Sequence, residues 1–123
     1  MIKFSSDPFI YNRSHSPCSL HDGVILRAYR KEFYHVAKFP PGQIVITRNA
    51  LDTLNRSDVH AALRRHLQGD WGDVDAEDRK ANDSALVHAA RLLSVYHAAD
   101  GTTFWIITEA DRSSTTVLLP DDY

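Results

Sequence analysis

Apolar positions fall into two regimes along this chain. From Met1 to Asp22 they follow neither a 2.0 nor a 3.6 residue period, and Ser5, Ser6, Ser14, Ser16 and Ser19 mix with Pro8 and Pro17, a pattern read as irregular or disordered. Gly23 to Phe39 is richer, with Val24, Ile25, Leu26, Tyr29, Phe33, Tyr34 and Val36, and suits one strand or a short helix. Pro40-Pro41-Gly42 ends that stretch, because consecutive prolines remove backbone donors and force extended geometry on the preceding residue. The division that follows is an extension over residues 1–43 and one compact domain over residues 44–123.

Inside the second regime the periods are clear. Ile44-Val45-Ile46 is a β-branched run that predicts a strand buried on both faces. Thr47 suits the cap of a short helix through Ala50, Leu51 and Leu54, with Asn55 as a left-handed stop. Ser57 and Asp58 open a second helix, in which Val59, Ala62, Leu63 and Leu67 recur on one face before Gly69 ends it. Asp70 to Asp73 reads as a turn, and Asp75 with Asp78 as the start of a third, mostly polar helix to about Ala85. Three apolar runs then follow, Arg91–His97, Thr102–Glu109 and Ser114–Leu119. Asp100-Gly101 predicts a type I′ turn between the first two, and Pro120 ends the last. The expected class is α+β: a short strand, two to three helices, and a three-stranded antiparallel meander.

Composition narrows the setting. At 123 residues, with 43% apolar and 24% charged residues, the chain has the size and make-up of one globular domain. Cys18 is the single cysteine, which excludes an intrachain disulfide, and no stretch after Met1 has the character of a signal peptide, so a cytoplasmic setting is expected. The longest apolar runs are about four residues, such as Phe104–Ile107, against the roughly 20 needed to cross a bilayer. The net charge of -2 conceals an asymmetry: residues 1–43 hold six basic and three acidic residues, a balance of +3, and the rest hold eight and thirteen, a balance of -5. An acidic body repels a phosphate backbone, which disfavours nucleic acid as its partner.

From Ile44 to Tyr123 the chain resembles a family of small uncharacterised bacterial proteins of plasmids and other mobile elements, whose labels vary between plasmid-related protein and type I restriction endonuclease subunit M. The residues carrying the resemblance are Ile44–Thr47, Gly69–Asp73, Arg91–Tyr96, Phe104–Arg112 and Thr115–Pro120. It implies a mobile-element setting and no particular chemistry. A modification subunit needs a Gly-rich loop for S-adenosylmethionine and an Asn-Pro-Pro-Tyr-type motif, neither of which is in this sequence. The restriction label is therefore read as neighbourhood.

Candidate chemistry is thin. Asp73, Asp75 and Glu77 alternate as in a calcium loop, but the positions that would need Gly and a final carboxylate hold Asp78 and Ser84. The seven histidines show no His-x-x-x-His spacing or Cys partner suited to zinc, and no serine lies in a Gly-x-Ser-x-Gly context. No catalytic residue, cofactor or metal ligand is assigned. Along Thr102–Glu109, Phe104, Ile106 and Thr108 face one way and Trp105, Ile107 and Glu109 the other, so both faces carry apolar groups. Trp71, Phe104 and Trp105 are large enough to dominate a small core, and Asp111 and Arg112 can pair or satisfy amides of the second hairpin. Where a sheet face is left open instead, Trp71, Tyr96, Trp105, Ile107, Glu109 and Arg112 are the residues that would form a partner surface.

Three functions compete. First is a non-enzymatic accessory protein that binds another protein, a host defence component or a second copy of itself. Second is a RelE/ParE-like ribonuclease toxin, a fold-level analogy in which Arg91, Tyr96 and His97 would contact phosphate and move a proton. Third is a DNA-binding regulator using Arg64, Arg65, His60 and His66 on the second helix.

Overall fold

Each strand and helix of the 44–123 region has a local cause that its residues supply. The computed structural model describes residues 37–123, and the expectations for residues 1–36 lie outside the described residues. The elements are β1 (Gln43–Ile46), α1 (Arg48–Thr53), α2 (Arg56–Leu67), α3 (Ala76–His88), β2 (Leu92–His97), β3 (Thr103–Thr108), β4 (Ser114–Leu118) and a final 3-10 turn (Pro120–Asp122). The class is α+β.

The sheet has four strands in the order β1-β4-β3-β2. β2, β3 and β4 form the antiparallel meander, and β1 adds to it parallel to β4, with Ile44 opposite Thr115 and Val45 opposite Thr116. The expected meander is thus the larger part of a mixed sheet. A parallel pair needs a long crossover between its strands, and the three helices with β2 and β3 supply it.

The helix caps follow the chemistry of orphan amides. Thr47 Oγ1 accepts from the Ala50 N–H at 3.2 Å and donates to Asp122 at 2.6 Å, which ties the start of α1 to the end of the chain. Asn55 is extended, at φ -88° and ψ 157°, and its side chain accepts from the Asp58 N–H. It is the N-cap of α2, where the sequence suggested a left-handed stop to α1, because an Asn beside a helix start gains more from a donor amide than from a strained backbone. Asp75 caps α3 through the Asp78 N–H as expected. That helix runs on to His88, and Ala89 takes the left-handed position after it at φ 53°.

The first hairpin also differs from its expected turn. Only Gly101 is left-handed in it, at φ 93°, while the Gly101 N–H bonds to Ala98 O and the Ala98 N–H to Thr102 O. A single left-handed residue closing a type I turn accounts for this, and the Asp100 carboxylate takes the Thr102 N–H.

Two apolar layers sandwich the sheet unequally. On one face Val59, Ala62, Leu63 and Leu67 of α2 pack with Ile44, Leu92, Tyr96, Phe104, Ile106 and Val117 in the main core. Phe39 and Trp71 belong to the same cluster, so the core takes in a residue ahead of Ile44. On the other face Ile107 and Leu118 are buried with Leu93 and Trp105 against them.

The outer edge of β2 is closed. Asn82 of α3 donates to Leu93 O at 2.8 Å and accepts from the Leu93 N–H at 3.1 Å. Two residues on, the Val95 N–H bonds to Trp71 O and Val95 O accepts from the Asp73 N–H. Unpaired edge groups template aggregation, and here a side chain and a turn occupy them.

Candidate functional site

The chain's most unusual chemical grouping is buried. His66 lies on the apolar face of α2, one turn from Ala62 and Leu63, and is fully enclosed. Its Nδ1 is 2.6 Å from Ser94 Oγ and its Nε2 is 2.9 Å from Thr108 Oγ1. Thr108 Oγ1 is 2.8 Å from Thr115 Oγ1, which donates to Pro41 O at 2.7 Å. The direction of every proton in this chain follows from its last link. Pro41 O only accepts, so the Thr115 hydrogen is used there, and Thr115 must accept from Thr108. Thr108 in turn must accept from His66, which places the imidazole hydrogen on Nε2 and leaves Nδ1 to accept from Ser94. The row joins α2, three adjacent strands' hydroxyls and the segment before β1 into one satisfied network. Burial pushes the His66 imidazole down to about 3, with the positive Arg112 adding to the effect.

This grouping is not an active site. A histidine beside a serine hydroxyl suggests a nucleophile and base, but Ser94, Thr108 and Thr115 are each fully buried and no substrate reaches them. The sequence signal for His66 was its helical phase with Val59, Ala62, Leu63 and Leu67, which the absence of a His-x-x-x-His pair concealed.

A second line of hydroxyl, imidazole and carboxylate lies at the surface. His97 Nδ1 is 3.1 Å from Thr103 Oγ1 and its Nε2 is 3.0 Å from Asp73. The Asp73 side chain is 73% exposed, so water competes for the pair. Among the described residues no group of three His, Cys, Asp or Glu is placed to hold a metal ion. The acidic cluster is spent locally: Asp70 bonds Arg65 at 2.8 and 3.2 Å, Asp73 bonds His97, and Asp75 caps α3. The Arg65 hydrogen bond holds the Asp70 carboxyl below its ordinary range.

The six residues expected to form a partner surface separate into three places. Trp71 and Tyr96 are buried in the main core, where the Trp71 indole donates to Asp83 at 3.0 Å and the Tyr96 hydroxyl to Asp70 O at 2.5 Å. Burial holds the Tyr96 phenol well above its ordinary range, and Arg65 lies 4.8 Å over its ring. Arg112, left-handed at φ 60°, donates to Ala90 O at 2.6 Å, Glu109 O at 3.0 Å and Ala85 O at 2.9 Å, so it closes the α3 C-terminus onto the second hairpin. Burial lowers its guanidinium from the ordinary arginine range.

Trp105, Ile107 and Glu109 share the sheet face away from α2. Ile107 is buried there, and half-buried Trp105 meets the Tyr123 ring edge-on with centroids 5.7 Å apart. Arg91 donates to the Tyr123 hydroxyl at 3.0 Å and pairs with Glu109 at 3.4 Å. Tyr123 itself stays 50% exposed. Sequence reasoning passed over Tyr123 because a terminal aromatic has no period to place it.

The groups named for the other two functions are dispersed. Arg91 precedes β2 and His97 ends it, so about 20 Å of strand lies between them, and Tyr96 is buried. On α2, His66 faces the core while Arg65 is held by Asp70. No helix among the described residues is long and apolar enough to cross a membrane. Comparison with protein-family models, curated proteins and solved structures finds no match for this chain.

Proposed function

We propose that the chain is a non-enzymatic accessory protein of mobile genetic elements that acts in the cytoplasm by binding another protein. The observation that carries this reading is the Trp105–Tyr123 pair beside Arg91 and Glu109, on the sheet face away from α2, with half of Tyr123 exposed. Tryptophan, tyrosine and arginine dominate interface energetics because each brings a large, rigid or pre-organised area into a desolvated contact. The acidic balance of the body favours a protein over a nucleic acid as the occupant. The mobile-element setting rests on the resemblance of residues 44–123, and a component of a host defence system is the partner class it suggests.

A photo-crosslinking residue placed at position 105 of the full chain, expressed in a native host, tests the reading. A discrete adduct with a second kind of protein is the expected product. An adduct with the chain alone would replace that partner by a homodimer, and the absence of any adduct would contradict the reading.

A further inference from the structure

We propose that His66 is an acid-operated latch, which docks α2 on the sheet only while its ring is neutral. The geometry carries this. The ring is fully buried, and the proton order running from Ser94 through Thr108 and Thr115 to Pro41 O admits one neutral tautomer, with hydrogen on Nε2. A second proton on Nδ1 would face the Ser94 hydroxyl at 2.6 Å and force its hydrogen away from the ring.

The groups that the ring is seen to meet are hydroxyls and aromatic rings, with no carboxylate bonded to it to balance the added charge. From β2 the ring meets Ser94 and from β3 Thr108, whose hydroxyl bonds on to Thr115 of β4. Phe39 and Trp71 meet it edge-on at 5.4 and 5.7 Å. Asp83 of α3 lies behind the Trp71 indole and is bonded to it. Arg112, from the β3–β4 loop, is the charged group acting on the ring, and it repels a cation. A protonated ring is therefore expelled toward water, and because it is carried by α2 it takes that helix off the sheet. The apolar contacts of α2 are Val59, Ala62, Leu63 and Leu67, none of which titrates, while at its surface Asp58 accepts from the Ala99 N–H at 3.1 Å and Arg65 lies over the Tyr96 ring and bonds Asp70.

The folded ring sits at about 3 and an open one near 6.5. Opening of α2 should then rise on the order of 50-fold between neutral pH and about pH 4.5. Hydrogen exchange of the full chain at these two pH values, corrected for intrinsic rates, reads this directly. The expected result is a loss of protection in Arg56–Leu67 that exceeds the loss in Ala76–His88 by about tenfold or more; equal losses in the two helices overturn the latch. The His66→Gln variant separates the cause, since its amide offers one donor and one acceptor along the same row without titrating. It should abolish the acid-dependent release, and a variant that still releases α2 in acid overturns the assignment. Imidazole nitrogen NMR of the unmodified chain needs no variant: an Nε2–H ring that does not titrate between pH 7 and about 4.5 is expected, and a folded-state titration near 6.5 overturns it.

Discussion

The amide side chain of Asn82 pairs with both backbone groups of Leu93, donating to its carbonyl and accepting from its N–H. One residue of α3 thus stands in for a neighbouring strand on the open side of β2. Asn82→Leu removes both bonds and leaves two edge groups unmet, at a cost of about 1–3 kcal/mol in urea unfolding. It should also introduce concentration-dependent association in sedimentation, because the freed edge becomes a pairing site.

Gly72 presses on the same edge from the turn between α2 and α3. It is left-handed at φ 74°, and a Cβ there would lie 2.0 Å from Val95 O. Gly72→Ala should therefore destabilise the fold by about 2 kcal/mol or more, combining backbone strain with displacement of the turn from β2. Gly101 is the control: it is also left-handed, with nothing within 4 Å of the added carbon. Gly101→Ala should cost about 1–2 kcal/mol, from the backbone alone.

The buried imidazole gives the stability a sign in acid. His66 is lowered to about 3 in the fold, against 6.5 for an ordinary histidine. Above pH 6.5 the ring is neutral in both states and its contribution is full. Between 6.5 and about 3 the unfolded chain takes up a proton that the folded chain does not, so stability falls as pH falls, by up to about 1.4 kcal/mol per pH unit. Urea unfolding of the parent and His66→Gln proteins across this range should show the parent losing ground steadily to the variant; parallel curves would contradict the placement of the ring.

Thr108 sits in the middle of the hydroxyl row. Thr108→Val keeps the shape but deprives the His66 Nε2–H of its acceptor and Thr115 of its donor. Thermal unfolding should register a loss of about 1–3 kcal/mol, where a surface threonine such as Thr53 replaced by valine should change stability by less than about 0.5 kcal/mol.

Much of the architecture was legible because local chemistry dictates it. Thr47, Asp75 and Gly69 act where short-range hydrogen bonding places them, and the apolar runs at Leu92, Thr103 and Ser114 form the meander. The position of β1 was not legible, since Ile44-Val45-Ile46 carries no mark of which strand it joins; its parallel pairing with β4 is decided by closure of the whole sheet. Trp71 reads as core or as partner surface and Tyr96 as partner surface, and both turn inward, each polar tip finding a partner at the core's rim in Asp83 and Asp70 O. Arg112 reads from the sequence as a hairpin residue able to pair with Asp111 or to join a partner surface, and its guanidinium is committed to backbone carbonyls of α3 and the hairpin. Hydrogen bonds across 26 or 27 residues leave no trace in a local pattern.

Affinity capture of the full chain from a native host, comparing the parent with a Trp105→Ser/Tyr123→Ser variant, tests the proposed function most directly. A Val87→Ser protein is the control, since Val87 is 78% exposed on α3 and takes no part in the aromatic pair. A partner retained at equal level by the parent and the control, and reduced at least about tenfold by the double variant with its fold intact, is the predicted result. Equal recovery by all three proteins, or recovery of no partner by the parent, would contradict it.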